Sequence, residues 1–164
     1  MNIDFIILAA GRGTRMGGDT PKVLASLAGK PMIQHLIDTV DSFPSSKTSI
    51  VVGYKSNEVE RDLVSQKKLS FVKQKNQLGT AHAVKQALPN IRKNSVAVIL
   101  YGDVPLVKKN TLNKLIKSAS TGKLSLLTFI KDDPEGYGRI IRGSRKNVQK
   151  ITEHKDASSA EKEI

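Results

Sequence analysis

The chain has 164 residues, a length that fits one domain with a single core. It has no cysteine, and its 27 lysines and arginines against 15 acidic residues give a formal net charge of +12. Disulfides, thiolate metal sites and cysteine nucleophiles are therefore excluded, and the surface attracts anions, whether nucleic acid, a membrane leaflet or small phosphorylated molecules.

Apolar residues make up 38% and charged residues 26% of the chain, the balance of a globular protein and not of a disordered one. The apolar run Phe5–Ala10 is far shorter than the ~20 residues that cross a bilayer. It follows Asp4 and lacks a basic flank, so it does not read as a secretory signal. A soluble cytoplasmic protein with no membrane partner is the expectation. There is no tryptophan, and only four phenylalanines and three tyrosines. The basic residues are scattered, Lys67-Lys68 and Lys108-Lys109 being the nearest approach to clusters. Without stacking aromatics or a basic block, nucleic acid is disfavoured as the ligand, and most lysines read as solvated faces.

In chain order, Phe5–Ala10 is a continuous apolar run ended by Gly11, the pattern of a strand buried on both faces. Pro31 opens a helix that carries Met32, Ile33, Leu36, Ile37 and Val40 at three-and-four spacing. Ser49–Val52, closed by Gly53, is the next strand, and Ser56-Asn57-Glu58 starts a helix with Val59, Leu63 and Val64 on one side. Leu69–Val72 is a shorter strand. Gly79–Leu88 is helical, with Ala83, Val84, Ala87 and Leu88, and stops at Pro89. Ser95–Tyr101 is a strand closed by Gly102-Asp103. Asn110-Thr111 caps a helix with Leu112, Leu115, Ile116 and Ala119 inward. Leu124–Ile130 is predicted as a further strand, closed by Asp132-Asp133-Pro134. From Asp156 the sequence is polar and potentially helical, with no terminating signal. This alternation predicts an α/β fold: a Rossmann-like, open, mostly parallel sheet with helices on both faces. Ligands of such folds sit at the carboxyl ends of the strands. Residues 1–164 are expected to form a single, apparently incomplete domain, because the tail reads as a cut.

The first strand ends in Leu8-Ala9-Ala10-Gly11-Arg12-Gly13-Thr14-Arg15-Met16, with Pro21-Lys22 following. Glycines after a buried strand let backbone amides approach a phosphate or base. The dinucleotide fingerprint does not fit, since Met16 stands at its third glycine, and Lys22 is too distant for a Walker loop. The motif offers two cations, Arg15 and Lys22, over a glycine turn, which suits a triphosphate whose charge grows during transfer. A surface loop with ordinary basic residues is the alternative. Tyr101-Gly102-Asp103-Val104-Pro105 places a carboxylate at another strand end, suited to holding Mg²⁺ against phosphate, or to starting a turn before Pro105. In Gln74-Lys75-Asn76-Gln77-Leu78-Gly79-Thr80, glutamine can pair with a base edge, and Gly79-Thr80 exposes helix N-terminal amides. A capped loop would also explain that segment. His35, His82 and His154 show no metal-ligand spacing and read as structural or surface residues.

Taken in order, these motifs resemble the nucleotidyltransferase domain of the bacterial bifunctional N-acetylglucosamine-1-phosphate uridyltransferase / glucosamine-1-phosphate acetyltransferase family. The resemblance is carried by Leu8–Gly11, Gly13–Met16, Pro21–Leu24, Leu27–Met32, Gln77–Thr80, Tyr101–Leu106, Gly136–Ile140 and Glu153–Ala157. It implies the nucleotide-diphospho-sugar transferase fold and a Mg²⁺-dependent reaction. UTP and N-acetylglucosamine 1-phosphate would give pyrophosphate and UDP-N-acetylglucosamine, a precursor of peptidoglycan and other cell-wall polymers. By the same resemblance Arg15 and Lys22 are catalytic, Lys22 also holding phosphate. Leu8, Ala9, Ala10, Gly11, Gln74, Gly79, Thr80, Tyr101 and Gly102 contact the nucleotide, Asp103 ligates Mg²⁺, and Gly138 and Glu153 contact the sugar. In that family the domain continues beyond the length seen here, with further sugar contacts and an asparagine ligand to Mg²⁺, and a left-handed β-helix carries acetyl transfer and trimerisation. The expectation is therefore that UTP binding partly survives while turnover is much weakened or absent, with no trimerisation domain and possible self-association through exposed sheet. A nucleotide-binding module without catalysis and another sugar-1-phosphate nucleotidyltransferase are the alternatives.

Overall fold

The computed structural model describes residues 1–11, 13, 19–144 and 147–164. They divide into two compact units, Met1–Leu126 and Leu127–Ile164. In chain order the first unit contains β1 (Asn2–Ala9), a small hairpin of β2 (Ser26–Leu27) and β3 (Lys30–Pro31), α1 (Met32–Asp41), β4 (Ser46–Val52) and α2 (Ser56–Asp62). It continues with β5 (Leu69–Lys73), α3 (Thr80–Ala87), β6 (Ser95–Tyr101) and α4 (Lys109–Ala119).

One four-stranded sheet runs in the order β5-β4-β1-β6, and all its pairs are parallel. From β1 the chain winds outward through β4 to β5, then returns to the other side of β1 as β6. The winding reverses between β1 and β6, which is the switch point where open α/β sheets hold ligands. The sequence reading of a parallel sheet agrees with this topology; helices pack on both faces at β1 and β4, whereas Ala97, Ile99 and Tyr101 leave one face of β6 exposed.

Alternation along β1 divides the core in two. Ile3, Phe5, Ile7 and Ala9 pack with Ile33, Leu36, Ile37 and Val40 of α1, Val59 of α2, and Leu112 and Ile116 of α4. Ile6 and Ala10 pack instead with Val51 and with Ala83 and Ala87 of α3. Each fully buried aliphatic or aromatic side chain here contributes about 1.5–3 kcal/mol. The end of α1 is met by cations: Lys109 Nζ donates to Ser42 O at 2.9 Å, and Lys67 Nζ donates to Phe43 O. Positive charge at a helix C-terminus satisfies its unpaired carbonyls.

The second unit pairs β7 (Arg139–Arg142) with β8 (Val148–Thr152) in an antiparallel ribbon, irregular between Ile141 and Arg142. It ends in α5 (Ser159–Lys162), which starts from a reciprocal capping box between Ser158 and Glu161. The Arg139 side chain is buried and donates to Pro134 O at 2.8 Å, Tyr137 O at 2.6 Å and Lys162 O at 3.2 Å. One guanidinium thus ties a turn to the last helix.

Several local expectations need correction. Leu124–Ile130 is not a strand; Leu124, Phe129 and Ile130 are exposed. An apolar run becomes a strand only where a neighbour supplies a hydrogen-bonding ladder, and none of the described strands pairs with this one. Conversely, β1 and β4 start three residues before their apolar runs because pairing such as Ile3 with Ser46 is made by backbone. The helix α4 starts at Lys109 with no side-chain cap, so Asn110 and Thr111 lie within it.

Candidate functional site

Beyond the carboxyl ends of β1, β5 and β6 lies a cavity of about 730 Å³. Leu8, Ala9, Ala10, Gly11 and Gly13 line it from β1 and the turn after it, Tyr101 and Asp103 from β6, and Gln74 from β5. Gly79 and Thr80 add the start of α3, and Lys22 and Val23 complete another part of its wall. Segments up to 95 residues apart, Leu8 to Asp103, therefore converge because the parallel sheet brings every strand's carboxyl end to one edge.

Lys22 and Asp103 meet directly, Nζ to Oδ2 at 2.7 Å. Gly13 holds a positive φ of 67°, and a Cβ there would come within 2.4 Å of Lys22 Cβ. Glycine is thus required twice at that position, for conformation and for space. Arg15 lies outside the described residues. Four residues further along the chain, Asp19 accepts from Lys55 Nζ at 2.5 Å and from Tyr54 Oη at 2.7 Å. The Lys55 hydrogen bond, with help from Tyr54, holds the Asp19 carboxyl below the usual carboxylate range.

Gly102 does not line the cavity. Its N–H donates to Leu8 O at 2.9 Å, and a Cβ there would lie 3.0 Å from both Leu8 O and Val23 Cγ1. Its place is in the seam between β1 and the end of β6. On the opposite wall Gln74 is buried, its Nε2 3.2 Å from Gly79 O and 2.9 Å from His82 Nδ1. Gly79 takes φ 93° and ψ −179° ahead of α3, a conformation open to glycine alone. The first amides of α3 are thereby left for a ligand.

The sequence reading missed Gln77 as a site residue. Its Nε2 donates to Ala10 O at 2.9 Å, and the same carbonyl accepts from Tyr54 N at 3.3 Å. These bonds fix the end of β1. A glutamine in a polar loop gave no signal of a partner 67 residues away.

The donor set can be weighed for a metal. Among the described residues there is no group of three or more His, Asp or Glu side chains that could hold an ion. A protein-only cage is therefore ruled out for those residues. One hard carboxylate facing a cavity, with an ammonium already beside it, fits a Mg²⁺ ion bound chiefly by phosphates and water.

Gly138 and Glu153 belong to the second unit. They stand close together, a Cβ on Gly138 falling 3.8 Å from Glu153 Oε2 and 3.3 Å from Ile151 Cγ2.

A glycine turn and a carboxylate thus meet at the switch point of a parallel sheet, where open α/β folds hold their ligands. The MobA-like NTP transferase domain family matches residues 5–159, and the chain belongs to that family. Among curated relatives, the bifunctional protein GlmU of Nitrosomonas eutropha is 48% identical over 165 residues, covering 100% of this chain and 36% of the relative. GlmU of Alcanivorax borkumensis is 45% identical over 164 residues, again 100% of this chain and 36% of the relative. The chain thus spans 36% of the length of these curated relatives. HddC from Yersinia pseudotuberculosis superimposes with a TM-score of 0.69 at 24% identity, over 92% of this chain and 68% of that one. A nucleotidyl transferase from Methanothermobacter gives 0.59 at 21%, over 70% and 56%. These likenesses show the nucleotide-diphospho-sugar transferase fold. No helix among the described residues is long and apolar enough to cross a membrane.

Proposed function

We propose that this chain is a uridylyltransferase acting on UTP and N-acetylglucosamine 1-phosphate. The observation that carries the reading is the convergence of the Lys22–Asp103 pair and the Gln74–Gly79 wall on one cavity. One side has the charges for a metal-bound triphosphate, and the other has an amide and helix N–H groups for a base. The 45% and 48% identity to GlmU proteins supports the choice of UTP and of this sugar phosphate.

In the proposed reaction a phosphate oxygen of the sugar phosphate attacks the α-phosphorus of UTP. The bond from that phosphorus to the bridging oxygen breaks, and pyrophosphate leaves with the electron pair. The products are UDP-N-acetylglucosamine and pyrophosphate. Lys22 holds the phosphates, and Arg15 stabilises charge that grows on them in the transition state. The amides from Leu8 to Gly11 and at Gly79–Thr80 hold the nucleotide still, with Tyr101 beside them. Gly138 and Glu153 are assigned to the sugar. Asp103 would hold Mg²⁺, which when bound neutralises phosphate charge and polarises the reacting phosphorus. Positioning and electrostatics are most of what such transfer asks of a protein.

The test is pyrophosphate release from UTP and Mg²⁺, with and without N-acetylglucosamine 1-phosphate, with Arg15→Ala as control. Sugar-dependent release that disappears in the variant supports the reading. Binding of UTP without release in any condition supports a nucleotide-binding module instead.

A further inference from the structure

The Gln74 amide carries information about the base. Its nitrogen faces Gly79 O at 3.2 Å and His82 Nδ1 at 2.9 Å. A peptide carbonyl can only accept, so the nitrogen end of the amide, and not the oxygen, belongs on that side. His82 Nδ1 then accepts the other amide proton and the ring proton sits on Nε2. Gln86 Nε2, 3.2 Å from that ring nitrogen, is itself a donor, so this tautomer requires the half-buried Gln86 amide to turn its oxygen to the ring N–H and give up its 3.5 Å contact with His82 O. Both Gln74 amide protons are engaged. No donor among the described residues reaches Gln74 Oε1, and that oxygen is not one of the sealed, unpartnered atoms of the interior. It is left for the cavity that Gln74 lines.

We propose that His82 is a positioning residue that sets base choice. By accepting from Gln74 Nε2 it fixes Oε1 as an acceptor toward a pyrimidine whose N3 bears a proton. This rests on the uridylyl reading and deepens it. Uracil offers an N–H at N3, whereas cytosine offers a bare nitrogen there, which would face Oε1 lone pair to lone pair. Gly79 O sets which end of the amide faces it, but through a single bond of 3.2 Å. His82 Nδ1, as a second acceptor at 2.9 Å, makes turning the amide over cost two hydrogen bonds instead of one. His82 sits half-buried on the first turn of α3, so a change there alters the amide's partner without opening the core.

The experiment is calorimetric titration of the full chain with UTP and with CTP, in Mg²⁺, for wild type, His82→Leu and His82→Asn. Asparagine Oδ1 can stand where Nδ1 stood, while leucine keeps the bulk and offers no acceptor. The wild type should prefer UTP by about tenfold or more, the range of one misplaced buried hydrogen bond. His82→Leu should reduce that preference to about threefold or less, through weaker UTP binding, and His82→Asn should retain it. A preference that survives in His82→Leu, or is lost equally in both variants, overturns the role of His82 and leaves the uridylyl reading standing. A wild type that binds UTP no better than CTP overturns both.

Discussion

Lys22 Nζ lies 2.7 Å from Asp103 Oδ2, joining two residues 81 apart in the chain on the lining of the cavity. Each side chain retains more than a third of its exposure, so the pair contributes only about 0–1 kcal/mol to stability. A triphosphate with its metal ion offers each partner a stronger one: phosphate for the ammonium, the ion for the carboxylate. In the proposed reaction, the ion pair keeps both groups on the cavity lining until the nucleotide arrives.

Lys22→Ala and Asp103→Asn should accordingly fold, with melting temperatures within about 4 °C of wild type. Transfer should fall by about a hundredfold or more in each. Asp103→Asn should also lose most of its response to added Mg²⁺. Initial rates over a Mg²⁺ series and thermal melts check this. A large drop in melting temperature would show the pair to be structural.

Gly13→Ala should weaken UTP binding without unfolding the chain. The new Cβ would meet Lys22 Cβ at 2.4 Å, and the backbone would have to hold φ 67° with a side chain attached. Lys22 must move, or the turn must. UTP titration should show at least about a fivefold loss of affinity, for a conformational cost on the order of 1 kcal/mol or more. Unchanged affinity would contradict the steric account.

The pairing of Asp4 with Arg92 should govern stability in acid. Burial works to raise the Asp4 carboxyl, but hydrogen bonds from the Arg92 side chain and backbone, with Ser95, outweigh it and leave the group below its usual value. Arg92 Nε and its backbone N–H each donate to that carboxylate at 2.8 Å. A carboxylate whose folded value is depressed stabilises the fold above its unfolded value, about 4, and loses that contribution as pH falls through the folded one. The melting temperature should be flat from about pH 8 to 5 and decline below about 4. Arg92→Met leaves a buried carboxylate unpaired, at a cost of about 3–5 kcal/mol, and should lower the melting temperature by roughly 10 °C.

The second unit makes a separate prediction. Lys150 first, then the Ser158 backbone and hydroxyl, hold the Glu161 carboxyl down to about 2. Its contribution to α5 is present above the ordinary value near 4.5 and is lost as pH falls through about 2. An NMR titration of the Glu161 carboxyl carbon should have its midpoint near 2. A midpoint near 4.5 would show that the capping box and the Lys150 contact do not persist in solution.

What the sequence revealed and what it hid divide along a physical line. The strands β1 and β6 and the turn at Gly11 were legible because a continuous apolar run with a glycine after it is a local pattern, although only β1 is buried on both faces while β6 leaves Ala97, Ile99 and Tyr101 exposed. The convergence of Leu8–Gly11 with Asp103 followed from the parallel alternation. Leu124–Ile130 misled because apolarity was read as pairing, and pairing belongs to two segments. Asp4 looked like a residue outside the strand, yet it lies inside β1, neutralised by an arginine 88 residues later. His82 looked like one more helical histidine. Only the fold brings its Nδ1 to Gln74, and only the carbonyl of Gly79 shows which end of the amide is turned away.

The central claim is transfer of a uridylyl group, and UTP radiolabelled at its α-phosphorus tests it most directly. Incubated with the full chain, Mg²⁺ and N-acetylglucosamine 1-phosphate, the label should move into UDP-N-acetylglucosamine, and none should move when the sugar phosphate is omitted. Label that stays in UTP although the nucleotide binds, or that appears in UMP with or without the sugar phosphate, would contradict the account.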